Sequence, residues 1–313
     1  MKKHTISFVI FVVGLVGLLV LSGFVFIPKN NTAEAGILDV GANGILGEPE
    51  NTIDTLFVGD SLAYCAFMPL HIWEQTGSTS YVCATDLQQL QYTVEMVEHA
   101  LSRQTPGVVF MEADAIYRDV SAATLLYSKI YNAFSVFRYH DRWKNLTVRD
   151  FTEKQSFTSR DDERGYRRFS DSKPAEVRDY MAPTDEVMPI SDLNRELVGK
   201  IRDLCVEKGA RFVLVSVPSM KNWSMARHNG IAALAESLEV DYLDLNMPGT
   251  VEIDWRADTR DRGDHMMYTG AVKVTDYILS YLEENNLLRD HRGDPAYNDW
   301  DEALQRVKNK PLT

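Results

Sequence analysis

The segment "DTLFVGDSLAYCAF", Asp54 to Phe67, runs an apolar stretch into Gly59, Asp60 and Ser61. Far along the chain, "DRGDHMMY" carries His265 with Asp264 beside it and Asp261 four residues before it. A serine hydroxyl is a poor nucleophile until a base takes its proton, and that base is usually a histidine held by a carboxylate. Serine, histidine and acid are therefore the set needed to form and discharge an acyl-enzyme. Ser61 ends a strand-like run and opens a helix, so its own N–H and the first helical N–H groups would point at a developing oxyanion. No glycine stands two residues after it, so this is not the G-x-S-x-G elbow. Taken singly, each half has an ordinary alternative. Serine is a common helix N-cap, and a histidine among aspartates is a common surface feature.

The elements that would position these residues show as short apolar runs: Thr55–Asp60, Ser80–Thr85, Gly107–Ala113, Arg211–Pro218 and Asp241–Leu245. Runs rich in Val and Phe and apolar on both faces suit strands of a covered parallel sheet. Between them the period becomes helical, at Leu90, Val94, Val97 and Leu101, and at Leu193, Leu197, Ile201 and Leu204 after a cap at Ser191. Ala271, Val274, Ile278 and Leu282 mark a last amphipathic helix beginning just after His265. Alternation of strand and helix predicts an α/β sandwich, in which ligands collect at the carboxyl ends of the strands. Ser61 stands at one such end, and "VPSMKNW", Val217 to Trp223, follows another. Ser219, Lys221 and Trp223 are candidate glycan or acyl contacts there, or the residues of a packed turn.

The 313 residues are 45% hydrophobic with a formal net charge of −12. That balance repels phosphate backbones, so nucleic acid is not an expected partner. The seven histidines are dispersed without metal-ligand spacing, so neither a metal nor a cofactor is expected. Cys65, Cys83 and Cys205 form no C-x-x-C, although an extracytoplasmic domain would permit a Cys65–Cys83 disulfide. After Lys2 and Lys3, Ile6 to Ile27 is uncharged and long enough to cross a hydrocarbon core of about 30 Å. The flanking lysines favour a cytoplasmic N-terminus, leaving the rest outside a cell membrane crossed once. A cleavable signal peptide is the rival, since "AEAG" at Ala33–Gly36 has small residues at A-x-A positions; the run exceeds the usual h-region of about 7–15 residues, which favours an uncleaved anchor. The expected organisation is an anchor at 1–27, a linker at 28–51 and a domain at 52–313. Within that domain, 138–189 is a charged, aromatic insertion without a clean period, readable as a solvated excursion or as a lid or docking segment.

Together, "FVGDS" and the late Asp-then-His block resemble the first and last sequence blocks of the SGNH/GDSL hydrolases. The resemblance extends from "GEPENTIDTLFVGDS" through "VVFMEA" to "DHMMYTGAVKVTDYILSYL", and the arrangement is similar to membrane-anchored SGNH proteins of Gram-positive bacteria that accompany acyl transfer to teichoic acids and alginate. It implies a three-layer, flavodoxin-like SGNH sandwich preceded by one transmembrane helix. It also implies a serine esterase or O-acyltransferase acting on an acylated cell-envelope glycan or teichoic acid, or else a non-catalytic partner of a membrane-bound acyltransferase. Carried over, Ser61 is nucleophile and His265 base. The family's acid would fall at Arg262, so Asp261, slightly preferred, or Asp264 must serve. The second-block glycine falls near Leu87, whose N–H could donate to an oxyanion, with the adjacent Gln88 amide adding to it. The third-block asparagine is replaced by "MEADA", with Glu112 and Asp114. An ionised carboxylate there donates nothing and opposes an oxyanion.

Overall fold

The structure, a computed structural model, describes residues 2–169 and 173–310. In chain order its helices are α1 (Lys2–Phe26), α2 (Val40–Asn43), α3 (Ser61–Ala66), α4 (Pro69–Thr76), α5 (Leu90–Leu101), α6 (Ala122–Ala133), α7 (Ser135–Arg138), α8 (Val148–Thr152), α9 (Asp192–Glu207), α10 (Met225–Leu238), α11 (Tyr268–Glu284) and α12 (Asn298–Lys308). The chain divides into two units. One joins residues up to Val40 with Ser121–Ser159, and the other comprises Gly41–Val120 and Arg160 onward.

The larger unit is built on a parallel sheet of β1 (Thr55–Gly59), β2 (Ser80–Ala84), β3 (Val108–Glu112), β4 (Arg211–Ser216) and β5 (Asp241–Asp244), in the order β2-β1-β3-β4-β5. These are the five runs expected from the sequence. β1, β2 and β3 are buried along their whole length, which is why they read as continuous apolar runs rather than alternating ones. Helices α5, α9 and α10 form one layer, and α3, α4, α11 and α12 form the other. Under the second layer Phe57 stacks on Phe67 at 4.4 Å and on Phe110 at 5.3 Å, against Ala271, Val274, Ile278 and Leu282 of α11. With β2 and β3 on opposite sides of β1, the order reverses at β1, and the crevice at its carboxyl end is where such sheets take ligands.

Two sequence expectations shift. The buried stripe of α9 is Asn194, Val198, Ile201 and Cys205, not Leu193, Leu197 and Leu204, because the Asn194 amide donates to the carbonyls of Ile116 and Arg118 and turns the helix to suit. Cys65, Cys83 and Cys205 are free and buried, so the permitted disulfide is not formed and the three act as small core residues.

The segments expected as a linker and an insertion are tied down by specific bonds. Ala42, Ile45 and Leu46 are buried, and the Tyr81 hydroxyl donates to the Gly41 carbonyl. Arg164 passes its carbonyl to the Val82 N–H, with Gly165 so close that a Cβ there would lie 1.9 Å from the Val82 oxygen. The 138–189 stretch is thus shared between the units rather than forming one excursion; its residues 170–172 lie outside the described residues. In the smaller unit α7 and α8 pack on α1. Asn30 and Asn31 bond Thr158 and Ser159. The last turn of α1 is closed by cations, with Arg142 donating to the Phe26 carbonyl at 2.6 Å and Lys29 to that of Phe24, where the helix dipole favours positive charge.

Candidate active site

β1 ends where its neighbour β3 comes unusually close. A Cβ on Gly59 would lie 2.7 Å from the Glu112 Cβ and 3.1 Å from that of Ala63, so only glycine permits the approach. The next residue bears on the capping alternative for Ser61. Asp60, fully buried, is the N-cap of α3, its carboxylate accepting from the Leu62 N–H at 2.9 Å. The capping role that Ser61 could have filled is thus taken by its neighbour, and the Ser61 hydroxyl meets His265 Nε2 at 2.9 Å across 204 residues of sequence. One expectation is corrected in the same place. The N–H groups of Leu62 and Ala63 are spent on the Asp60 carboxylate and carbonyl, which leaves the Ser61 N–H as the α3 donor for an oxyanion.

His265 is delivered by a two-stranded hairpin, β6 (Thr259–Arg260) and β7 (His265–Met266), which pairs Arg260 with His265. Its tip, Asp261, Arg262 and Gly263, has φ of +54°, +62° and +84°, three left-handed residues in succession. Left-handed backbone is tolerated by Asp and natural to Gly, while Arg262 bears the strain. The tip is pinned from outside, Arg262 N–H donating to the Lys173 carbonyl and the Gly263 carbonyl accepting from Met220 N–H. This coil exposes Arg262, three residues before the histidine, and brings Asp261, four before it, back to the ring. Asp261 Oδ2 lies 3.4 Å from His265 Nδ1, and Asp264 Oδ2 lies 3.8 Å from it. Nδ1 is buried without a hydrogen bond among the described residues, so each contact is an ion-pair distance, and to become a hydrogen bond the one to Asp261 must tighten by about half an ångström and the one to Asp264 by nearly one. Asp264 is further engaged by the Asn222 amide at 2.6 Å and by Lys221 at 3.6 Å, while Asp261 is shared with Arg260 at 3.2 Å.

Behind Ser61 lies a group of charges that the linear sequence does not display. Arg118 pairs with Asp60 and with Asp114 at 2.6 Å and donates to the Gln88 carbonyl at 3.2 Å, so one guanidinium ties the loops that follow β1, β2 and β3. Arg227 holds the other oxygen of Asp114 at 2.7 Å. Glu112 is fully buried in their midst, with one oxygen accepting from the Asp114 N–H and the other without a partner among the described residues. Burial first, then the neighbouring Asp60 and Asp114, pushes its carboxyl well above the usual range. Burial also raises Asp60, but Arg118 pairs with it directly and the Leu62 N–H bonds it, whereas Arg118 acts on Glu112 only from a distance, so of the two Glu112 is the more disposed to hold a proton. A neutral Glu112 brings no negative charge to the site, which removes the electrostatic objection raised by its sequence position.

Of the remaining candidates, Leu87 is 72% exposed and sits at φ +48° in the turn after β2, a backbone conformation that glycine adopts freely and leucine does not. Gln88 is buried, accepting from the Thr85 hydroxyl and donating to that of Thr93, so its amide serves the loop rather than an oxyanion. The turn after β4 is packed. Ser219 is fully buried, and Trp223 is buried with its indole N–H on Asp244 at 3.0 Å, so neither offers a rim for ligands. Lys221 alone is partly exposed, beside Asp264.

No family model matches the chain, and no curated protein matches its sequence. Solved structures with a similar course include a lipase/acylhydrolase from Enterococcus faecalis (11% identity, 77% of this chain and 100% of that one, TM-score 0.40). A GDSL-like lipase from Bacteroides thetaiotaomicron is similar at 10% identity, over 78% of this chain and 99% of that one, with a TM-score of 0.40. TesA is similar at 9% identity, over 75% and 99%, with a TM-score of 0.39. At these values the capability of Ser61 has to be judged from its own surroundings.

Proposed function

We propose that this chain is a membrane-anchored serine esterase or O-acyltransferase of the SGNH type, acting outside the cytoplasm on acyl esters of a cell-envelope polysaccharide or teichoic acid. The observation that carries the chemistry is the 2.9 Å contact between Ser61 Oγ and His265 Nε2, with the capping duty removed to Asp60. His265 takes the hydroxyl proton as Oγ bonds to the ester carbonyl carbon. The resulting oxyanion lies against the Ser61 N–H, with the Leu87 N–H assigned as second donor. Collapse breaks the bond to the alcohol oxygen, which leaves with the proton held by His265, and the acyl group remains on Ser61. Water or a polymer hydroxyl then repeats the sequence in reverse, giving hydrolysis or transfer respectively. Asp261 holds the imidazole and stabilises its protonated form. The anchor rests on α1, whose Lys3–Phe26 is apolar enough to cross a membrane.

The test is labelling of the detergent-solubilised full chain with a fluorophosphonate, comparing wild type with Ser61→Ala and His265→Ala. Labelling of wild type alone is expected. A folded wild type that takes no label overturns the catalytic role and leaves a scaffold for a membrane-bound acyltransferase, which the unbonded His265 Nδ1 would suit.

A further inference from the structure

Within the smaller unit, α6 has no buried residue, although Leu126, Tyr127, Ile130, Tyr131 and Ala133 fall within an arc of about 160° at 100° per residue. Leu126, Tyr127, Trp143, Val148 and Phe151 are each more than half exposed. A surface of this kind is unusual on a soluble monomer and marks something that covers it. Two observations identify the cover. The first is continuity with α1. The N-terminal part of α1 is exposed throughout, whereas Gly17, Leu19, Ser22, Gly23, Val25 and Phe26 are half-buried, with α7 and α8 packed on the helix and Ala133 and Ser135 meeting Leu19, Val20 and Gly23 around one cavity. From Gly17 to Phe26 is about 14 Å of helix, approaching half of a hydrocarbon core of about 30 Å. Groups packed along that length of a spanning helix lie within the bilayer's outer layers themselves. The second is charge. Ser121–Ser159 carries six Lys and Arg (Lys129, Arg138, Arg142, Lys144, Arg149, Lys154) against three acids (Asp141, Asp150, Glu153), a net +3 in a chain whose net charge is −12.

We propose that α6–α8 form an interfacial platform in the membrane that α1 crosses, with the apolar arc and Trp143 at the acyl boundary and the basic residues at anionic headgroups. The proposal rests on α1 being a membrane span. Aromatic side chains favour that depth, and basic groups near an anionic surface add attraction. Arg142, which closes the last turn of α1 while bonding Asp150 of α8, fixes the platform to the anchor.

The test uses the full chain reconstituted in vesicles of phosphatidylcholine and phosphatidylglycerol. A nitroxide is attached in turn at Leu126→Cys, Trp143→Cys, Phe151→Cys, Ile10→Cys and Val206→Cys; the native cysteines are buried, and unsubstituted protein provides the background. Collision rates with oxygen and with a water-soluble nickel chelate report depth. The expected result is a severalfold higher oxygen-to-nickel ratio at 126, 143 and 151 than at exposed Val206, with Ile10 deepest. If Ile10 is lipid-exposed while 126, 143 and 151 behave as Val206 does, the platform is overturned and the anchor stands, leaving a protein as the cover. If Ile10 also faces water, both fall.

Discussion

Replacing Glu112 by glutamine keeps the shape of the side chain and removes its proton equilibrium. The folded chain holds Glu112 neutral, for it is fully buried beside Asp60 and Asp114, whereas the unfolded chain releases that proton above an ordinary pKa of about 4.3. Between that value and the raised folded one, the native state binds more protons than the unfolded state, so stability falls as pH rises. The slope from one such group is at most about 1.4 kcal/mol per pH unit within that window. Glu112→Gln lacks this loss, and groups unchanged by the substitution contribute equally to both proteins. At about 2–4 °C per kcal/mol for a domain of this size, the melting temperature of the variant should gain up to about 3–6 °C on wild type for each pH unit within that window. The assay is thermal unfolding of both full chains in the same detergent at several pH values. Parallel curves would refute the reasoning, because they would mean that Glu112 is ionised in the folded protein.

Asp261→Asn should lower kcat by about 10³–10⁴-fold with KM little changed, because the amide cannot stabilise the protonated imidazole, while Asp264→Asn, which leaves the nearer carboxylate in place, should cost far less. Steady-state esterase kinetics on the two variants distinguish them, and the reverse order would reassign the acid. Gly59→Ala places a methyl 2.7 Å from the Glu112 Cβ and should destabilise by about 1–3 kcal/mol, read as a fall in melting temperature; an unchanged value would mean that β1 and β3 separate freely at their ends.

The sheet was legible because β1, β2 and β3 are buried on both faces, so each appeared as an unbroken apolar run, and because α11 presents a regular stripe. The site was legible in part. Ser61 and His265 lie at element boundaries, where a strand-to-helix change marks the place. Asp60, Arg118, Glu112 and Asp114 were not legible as a group, since what joins them is the adjacency of three strand ends, which no local spacing encodes. Asn194 escaped for a related reason: a helical period counts apolar side chains, and this one is buried to satisfy two carbonyls. The orienting acid was ambiguous by one residue because a left-handed coil at positions 261–263 changes how far a loop of given length reaches.

The pairing of Asp60 with Ser61 carries a lesson about order. A helix start demands an acceptor, and a nucleophile demands a hydroxyl owed to nothing else; a lone serine after the strand would be pulled between the two obligations. Setting the acid first lets a residue that can never attack an ester absorb the structural duty. The two letters are therefore not interchangeable. On the proposed mechanism, a chain reading Ser-Asp at 60–61 would lose the attacking hydroxyl and, with it, the buried carboxylate that Arg118 holds.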